Sequence, residues 1–115
     1  MDSILLSIKK LIGGLDETPA PFDTDLIIFI NATFTVLAQL GVGPAEPFKI
    51  EDASATWDDF ECGNLEAVKE YIYLKVKLVF DPPANSSVME AYRARANELE
   101  WRMNVISEEA NGITN

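Results

Sequence analysis

Apolar residues recur at helical spacing in four separate stretches of the chain. The strongest pattern lies between residues 65 and 80. There Leu65, Val68, Ile72, Val76 and Val79 mark one face, and Tyr71, Leu74, Leu78 and Phe80 widen it over most of the circumference. A helix apolar on so many sides belongs in the middle of a bundle. Its ends are explicit. Asn64 is suited to cap the first turn with its side-chain oxygen. Pro82 removes Asp81 from the helical region, and Pro83 blocks a restart.

The other three patterns are more one-sided. Residues 3–12 place Leu5, Ile8 and Ile12 on a face with Ile4 and Leu11 beside it. Asp2 or Ser3 is the expected cap, Lys9 and Lys10 complement the dipole in the last turn, and Gly13-Gly14 ends the helix. Residues 24–40 align Ile27, Ile30, Phe34 and Leu37, flanked by Leu26, Phe29, Val36 and Leu40. Asp23 is the expected cap, and Phe22 stands at hydrophobic-staple spacing from Ile27. Asn31 and Gln39 interrupt this helix and are expected to face solvent or a neighbouring subunit. Gly41 fits a left-handed C-terminal cap and Pro44 prevents continuation. Residues 88–106 carry Met89, Tyr92, Ala96, Leu99, Met103 and Ile106 at the helical period, with Ser87 and Glu90 at capping-box spacing. Trp101 lies off that stripe. The polar tail, 108–115, is expected to be flexible.

Residues 44–63 have no helical period. Two short alternating pieces, Phe48-Lys49-Ile50 and Ala55-Thr56-Trp57, flank Glu51-Asp52 and are candidates for a small hairpin. Residues 57–60 suggest a helical turn, with Thr56 capping and Asp59 three positions on. The pattern predicts an all-α fold: a small four-helix bundle in one domain spanning 1–115, with an irregular loop between the second and third helices.

Composition narrows the function classes. With 115 residues, of which 9 are basic and 19 acidic, the chain carries a net charge of -10. That opposes adhesion to polyanions, both nucleic acid and anionic membrane. No stretch approaches the ~20 apolar residues of a membrane span. Asp2 and the short apolar run 4–6 do not make a signal peptide, so a cytoplasmically made protein is expected. There is no histidine, hence neither the commonest general base nor the commonest metal ligand. The lone Cys62 cannot form an intrachain disulfide, and the acids around it raise rather than lower a thiol pKa. It reads as a small, partly buried apolar residue. Between residues 50 and 68 there are six acids (Glu51, Asp52, Asp58, Asp59, Glu61 and Glu66) and no Lys or Arg. The run lacks the alternation and turning glycine of a cation loop, so it reads as a solvated or interface surface. No glycine motif suited to phosphate follows a strand. Neither cofactor nor metal is expected, and an enzyme is the least favoured class.

Five pieces in fixed order carry a family resemblance: G-V-G-P at 41–44, F-K-I-E-D at 48–52, A-T-W-D-D-F at 55–60, the long run from Asn64 to Pro83, and L-E-W-R at 99–102. Together they resemble the small head–tail connector proteins of tailed phages and prophages of Gram-positive bacteria, nearly end to end. The resemblance implies a helical adaptor in the virion neck. It implies a homo-oligomeric ring, usually of twelve copies, beneath the portal protein of the head. Such a ring extends the DNA channel without sequence-specific binding and docks the stopper or tail-completion protein. The family brings no catalytic residues.

Within such a ring the acidic segment 48–61 is expected to line the channel or meet the next component, through Glu51, Asp52, Trp57, Asp58, Asp59 and Glu61. Acids there would repel DNA phosphates and let the genome slide. The last helix, with a modest basic patch of Arg93, Arg95 and Arg102 beside Trp101, is expected to dock on the portal or an adjacent subunit. The competing class is an acidic DNA-mimic inhibitor encoded by a mobile element. A mimic should array acids along one face at phosphate-like spacing, whereas here they cluster in linkers and the loop.

Overall fold

The computed structural model describes residues 2–13, 15 and 18–110, with side chains as far as Ile106. Gly14, the linker residues Asp16 and Glu17, and positions 111–115 of the expected flexible tail lie outside the described residues. Four α-helices form: α1 (Ile4–Ile12), α2 (Asp23–Gln39), α3 (Leu65–Phe80) and α4 (Ser86–Ala110). They make a small all-α bundle, flattened to 46 × 35 × 20 Å. α3 packs against α2, α4 and α1, as its apolar breadth predicts. No helix among the described residues is long and apolar enough to cross a membrane.

The core gathers side chains from all four helices and from the loop. Val68, Tyr71, Ile72, Leu74 and Val76 of α3 are buried against Leu26, Ile30, Phe34 and Leu37 of α2 and Ala96, Leu99 and Met103 of α4. Each fully buried large side chain of this kind contributes about 1.5–3 kcal/mol. The ends of the predicted stripes do not stay inside: Leu11, Val79 and Ile106 are exposed. The helical period places them on or beside the apolar face, but nothing among the described residues closes over them. On α2 it is Leu26 that is fully buried, and Ile27 is only partly so.

Helix starts differ from expectation in detail. Ser3 does cap α1, accepting from the Leu6 N–H at 3.3 Å. Asp23 is the first residue of α2 rather than its cap; its Oδ2 accepts from the Ala20 N–H at 3.2 Å. Phe22 packs on Phe80, with ring centroids 5.7 Å apart. Asn64 makes no side-chain capping bond. For α4 the cap is Asn85, whose Oδ1 accepts from the N–H groups of Ser87 (2.8 Å) and Val88 (3.1 Å), so the helix starts before the Ser87/Glu90 pair. It also continues past the expected end, through Ala110.

Lys9 departs furthest from its sequence reading. Its position in the last turn predicts a partner of the helix dipole; its side chain is in fact 1% exposed. Its Nζ lies 2.9 Å from Asp23 Oδ1, donates to the Thr18 carbonyl at 3.0 Å and sits 5.5 Å from the centre of the Phe22 ring. A buried ammonium needs such partners because desolvation would otherwise neutralise it. This cluster ties the end of α1 to the start of α2 across the linker.

Candidate functional site

The loop between α2 and α3 carries most of the acidic candidates, and it is fixed to the bundle at several points. Gly41, with φ 83°, turns the chain out of α2, and the Val42 N–H donates back to the Leu37 carbonyl at 2.8 Å. Gly43 has φ 85°, and a Cβ there would stand 2.6 Å from two ring atoms of Phe60, so both conformation and space call for glycine. Phe34, Phe48 and Phe60 form a three-ring cluster with centroids 4.8–5.4 Å apart.

Asn31 is the residue whose role the sequence reading missed. It does not face solvent or a neighbour. Its Nδ2 donates to the Ile50 carbonyl at 3.0 Å, and its Oδ1 accepts from the Ile50 N–H at 2.8 Å. One amide thus satisfies both backbone groups of a residue that is 2% exposed. The available signal was an amide in the middle of an apolar helix, together with a connection lacking helical hydrogen bonds, whose buried backbone groups need partners. Asn31→Ala leaves two buried backbone groups unpaired, so a loss of ~2–3 kcal/mol is expected. Hydrogen exchange checks it: the Ile50 amide should lose its protection while those in the centre of α3 keep theirs relative to one another.

The candidate hairpin does not form. Instead the second half of the loop pairs with the N-terminus, through an isolated antiparallel bridge between Ser3 and Thr56. The Ile4 N–H donates to the Ala55 carbonyl at 3.0 Å, and the Trp57 N–H donates to that of Asp2 at 3.2 Å. The chain outside the helices therefore finds its partners in another element. The expected turn is present as a 3-10 helix, Trp57–Asp59, with the Asp59 carboxylate accepting from the Thr56 N–H at 2.9 Å.

Trp57 must be removed from the surface candidates. It is 1% exposed, its Nε1 donates to Ser7 Oγ at 3.1 Å, and Lys69 Nζ lies 5.5 Å from its ring centre. The turn explains this: Trp57 and Phe60 point inward while Asp58, Asp59 and Glu61 point out. Glu51, Asp52, Asp58, Asp59 and Glu61 are all exposed, and none of them forms an ion pair among the described residues. Asp52 accepts from both the hydroxyl and the N–H of Ser54, which holds its carboxyl below the usual range. The result is an anionic ridge of five exposed acids on a loop anchored by the buried Ile50, Trp57 and Phe60. No group of three or more described His, Cys, Asp or Glu side chains is arranged to hold a metal ion.

The basic candidates on α4 do not make one patch. Arg95 is occupied inside the subunit: Nε and Nη2 hold both oxygens of Glu70 on α3 at 2.7 and 2.9 Å, and Nη1 reaches Glu98 at 2.7 Å. That bidentate pair lowers the Glu70 pKa, chiefly through the hydrogen bond, and raises that of Arg95. Arg93 pairs with Glu90 at 3.0 Å, and Arg102 with Glu98 at 3.1 Å. Nine positions apart, Arg93 and Arg102 are separated by about two and a half turns and lie on opposite flanks of α4. Trp101 stands between the flanks, 68% exposed. On the Arg102 side, a cleft of about 630 Å³ opens between α3 and α4, with Leu11 and Ile106 at its apolar edge.

The family model for phage connector proteins matches residues 4–110. No curated protein and no solved structure matches the chain.

Proposed function

Since the chain belongs to the phage connector protein family, we propose that it is a structural, non-catalytic component of the virion neck. It assembles as a ring beneath the portal protein, continues the DNA channel and docks the stopper or tail-completion protein. The observation that carries this reading beyond the family match is the separation of charges over the surface. The acids of α3 and α4 that lie near arginines are paired within the subunit, whereas the five acids of the loop ridge are exposed and form no ion pair among the described residues. A ridge of that kind, repeated around a ring, repels DNA phosphates and lets the genome pass without adhering. A ring also needs two different faces on each subunit, and the acidic ridge leaves α4 with Trp101 free for protein contact, on the portal or on an adjacent subunit.

Cryo-EM of the neck in assembled particles tests the placement. Density for this protein between portal and tail, with residues 51–61 facing the axis, is the expected result. A channel wall built from another segment would exclude the ridge from this role. Infection tests the docking helix: Trp101→Ala should give DNA-filled heads without tails and lower the titre at least a hundredfold. Normal infectivity of that variant would remove α4 from the docking surface.

A further inference from the structure

Two outer surfaces of the subunit carry little charge in a protein where charge is otherwise abundant. The first belongs to α2. From Leu26 to Ala45 the sequence contains no Asp, Glu, Lys or Arg. Ile28, Ala32 and Thr35, at i, i+4 and i+7, are nevertheless exposed, and Ile28 keeps 57% of its surface. Beside them α2 and α3 enclose an open groove of about 150 Å³, bordered by Phe29, Val36 and the 59%-exposed Val79. Lys75 is the one charged residue on its wall, and it forms no ion pair among the described residues.

The second surface belongs to α4, the helix richest in charge. Ala94, Asn97, Trp101 and Asn104, at i, i+3, i+7 and i+10, share its outer side and carry no charge. Ala96, Leu99 and Met103 are turned to the core, so Trp101 projects away from the subunit. An exposed tryptophan on a stripe of small and amide side chains, rimmed by the charged Glu98, Glu100 and Arg102, has the composition of an interface centre with its polar rim.

The groove and the tryptophan face in different directions. Glu70, which Arg95 uses to hold α4, and Val79, which borders the groove, are nine positions apart on α3; the same interval separates Glu66 and Lys75. Nine positions are about half a turn beyond two full turns, so the groove lies on the far side of α3 from α4. A projecting side chain and a complementary pocket on different surfaces of one molecule generate a head-to-tail contact, which closes into a ring when the rotation allows.

We propose that Trp101 of one copy seats in the α2–α3 groove of a second copy, with Lys75 at its edge. The inference rests on the connector reading and specifies its subunit contact. Charge selects this occupant. Copies carrying -10 each repel one another unless the touching faces are neutral or complementary, and Lys75 is the one charged residue among those of the groove wall and the α4 stripe. The remaining cation, Lys75, meets an indole ring, the best aromatic partner for an ammonium.

Cross-linking inside assembled particles tests the contact. In a Cys62→Ser background, Ile28→Cys with Asn97→Cys places one thiol on each stripe, at exposed positions. A bis-maleimide that spans two helical turns (~11 Å) should then give a ladder of dimers, trimers and higher species from tailed particles. Either single variant should stay monomeric, as should a control pair of Leu11→Cys with Asn97→Cys. Tailed particles that contain the double variant but yield only monomer, or a ladder from the control pair instead, would overturn the contact and leave the connector reading standing. Absence of the wild-type protein from purified particles would overturn that reading, and this contact with it.

Discussion

Replacing Trp57 by alanine should cost ~3–5 kcal/mol of stability, as expected for truncating a fully buried large aromatic. For a domain whose total is about 5–15 kcal/mol, that is a large fraction of the whole, and at the lower end of that range it leaves a substantial unfolded population. The side chain joins three parts of the chain. Its ring lies in the core at 1% exposure, its Nε1 donates to Ser7 of α1, and Lys69 of α3 stands over its face. Its own N–H closes the bridge to Asp2. Urea unfolding followed by circular dichroism measures the loss as a lower midpoint with little change in slope. Trp101→Ala is the contrast. At 68% exposure it should shift stability by under about 0.5 kcal/mol while abolishing tail attachment. Equal destabilisation by the two substitutions would contradict their assignment, one to the core and the other to a partner.

The second large effect should come from Lys9→Met. Removing the ammonium leaves Asp23, whose side chain is 18% exposed, without its cation, and breaking a buried pair in this way costs ~3–5 kcal/mol. The Thr18 carbonyl loses its donor as well. Thermal unfolding should show a large fall in midpoint that persists at high salt, because buried pairs are poorly screened. Adding Asp23→Leu should restore part of the loss, since the uncompensated charge is then gone. No recovery in the double variant would mean that the cluster matters through packing on Phe22 rather than through charge.

These two residues also mark where sequence reasoning stopped. The helical period recognised all four helices, and glycine and proline punctuation located their limits to within a few residues. Apolar spacing is a local property, and α3 is legible because its pattern persists for four turns. Burial at the ends of a stripe is not local. Leu11, Val79 and Ile106 follow the same period as their buried neighbours, and only the arrangement of adjacent helices leaves them exposed.

The candidate site divides along the same line. The outward acids of the loop were legible, since five of them between residues 51 and 61, with no Lys or Arg among them, have no favourable place in a core. The supposed arginine patch was not, because it depended on angular position and on Glu70, a residue from another helix. Trp57 and Trp101 both lie off the simple stripes. Their opposite fates follow from what surrounds them: α1, the start of α3 and the N-terminal bridge close over one, and nothing among the described residues closes over the other.

By itself, then, the sequence determined the helices, the acidic balance and the family, all of which follow from short-range spacing, composition and the order of motifs. Tertiary structure decided which polar groups serve the fold and which remain outside it. Asn31, Lys9 and Arg95 each resemble surface residues in one dimension. Each is instead bound to an element 14 or more positions away, at Ile50, Asp23 and Glu70 respectively. A polar side chain's partner is chosen by proximity in space, because leaving a buried donor, acceptor or charge unpaired costs several times what an exposed contact contributes.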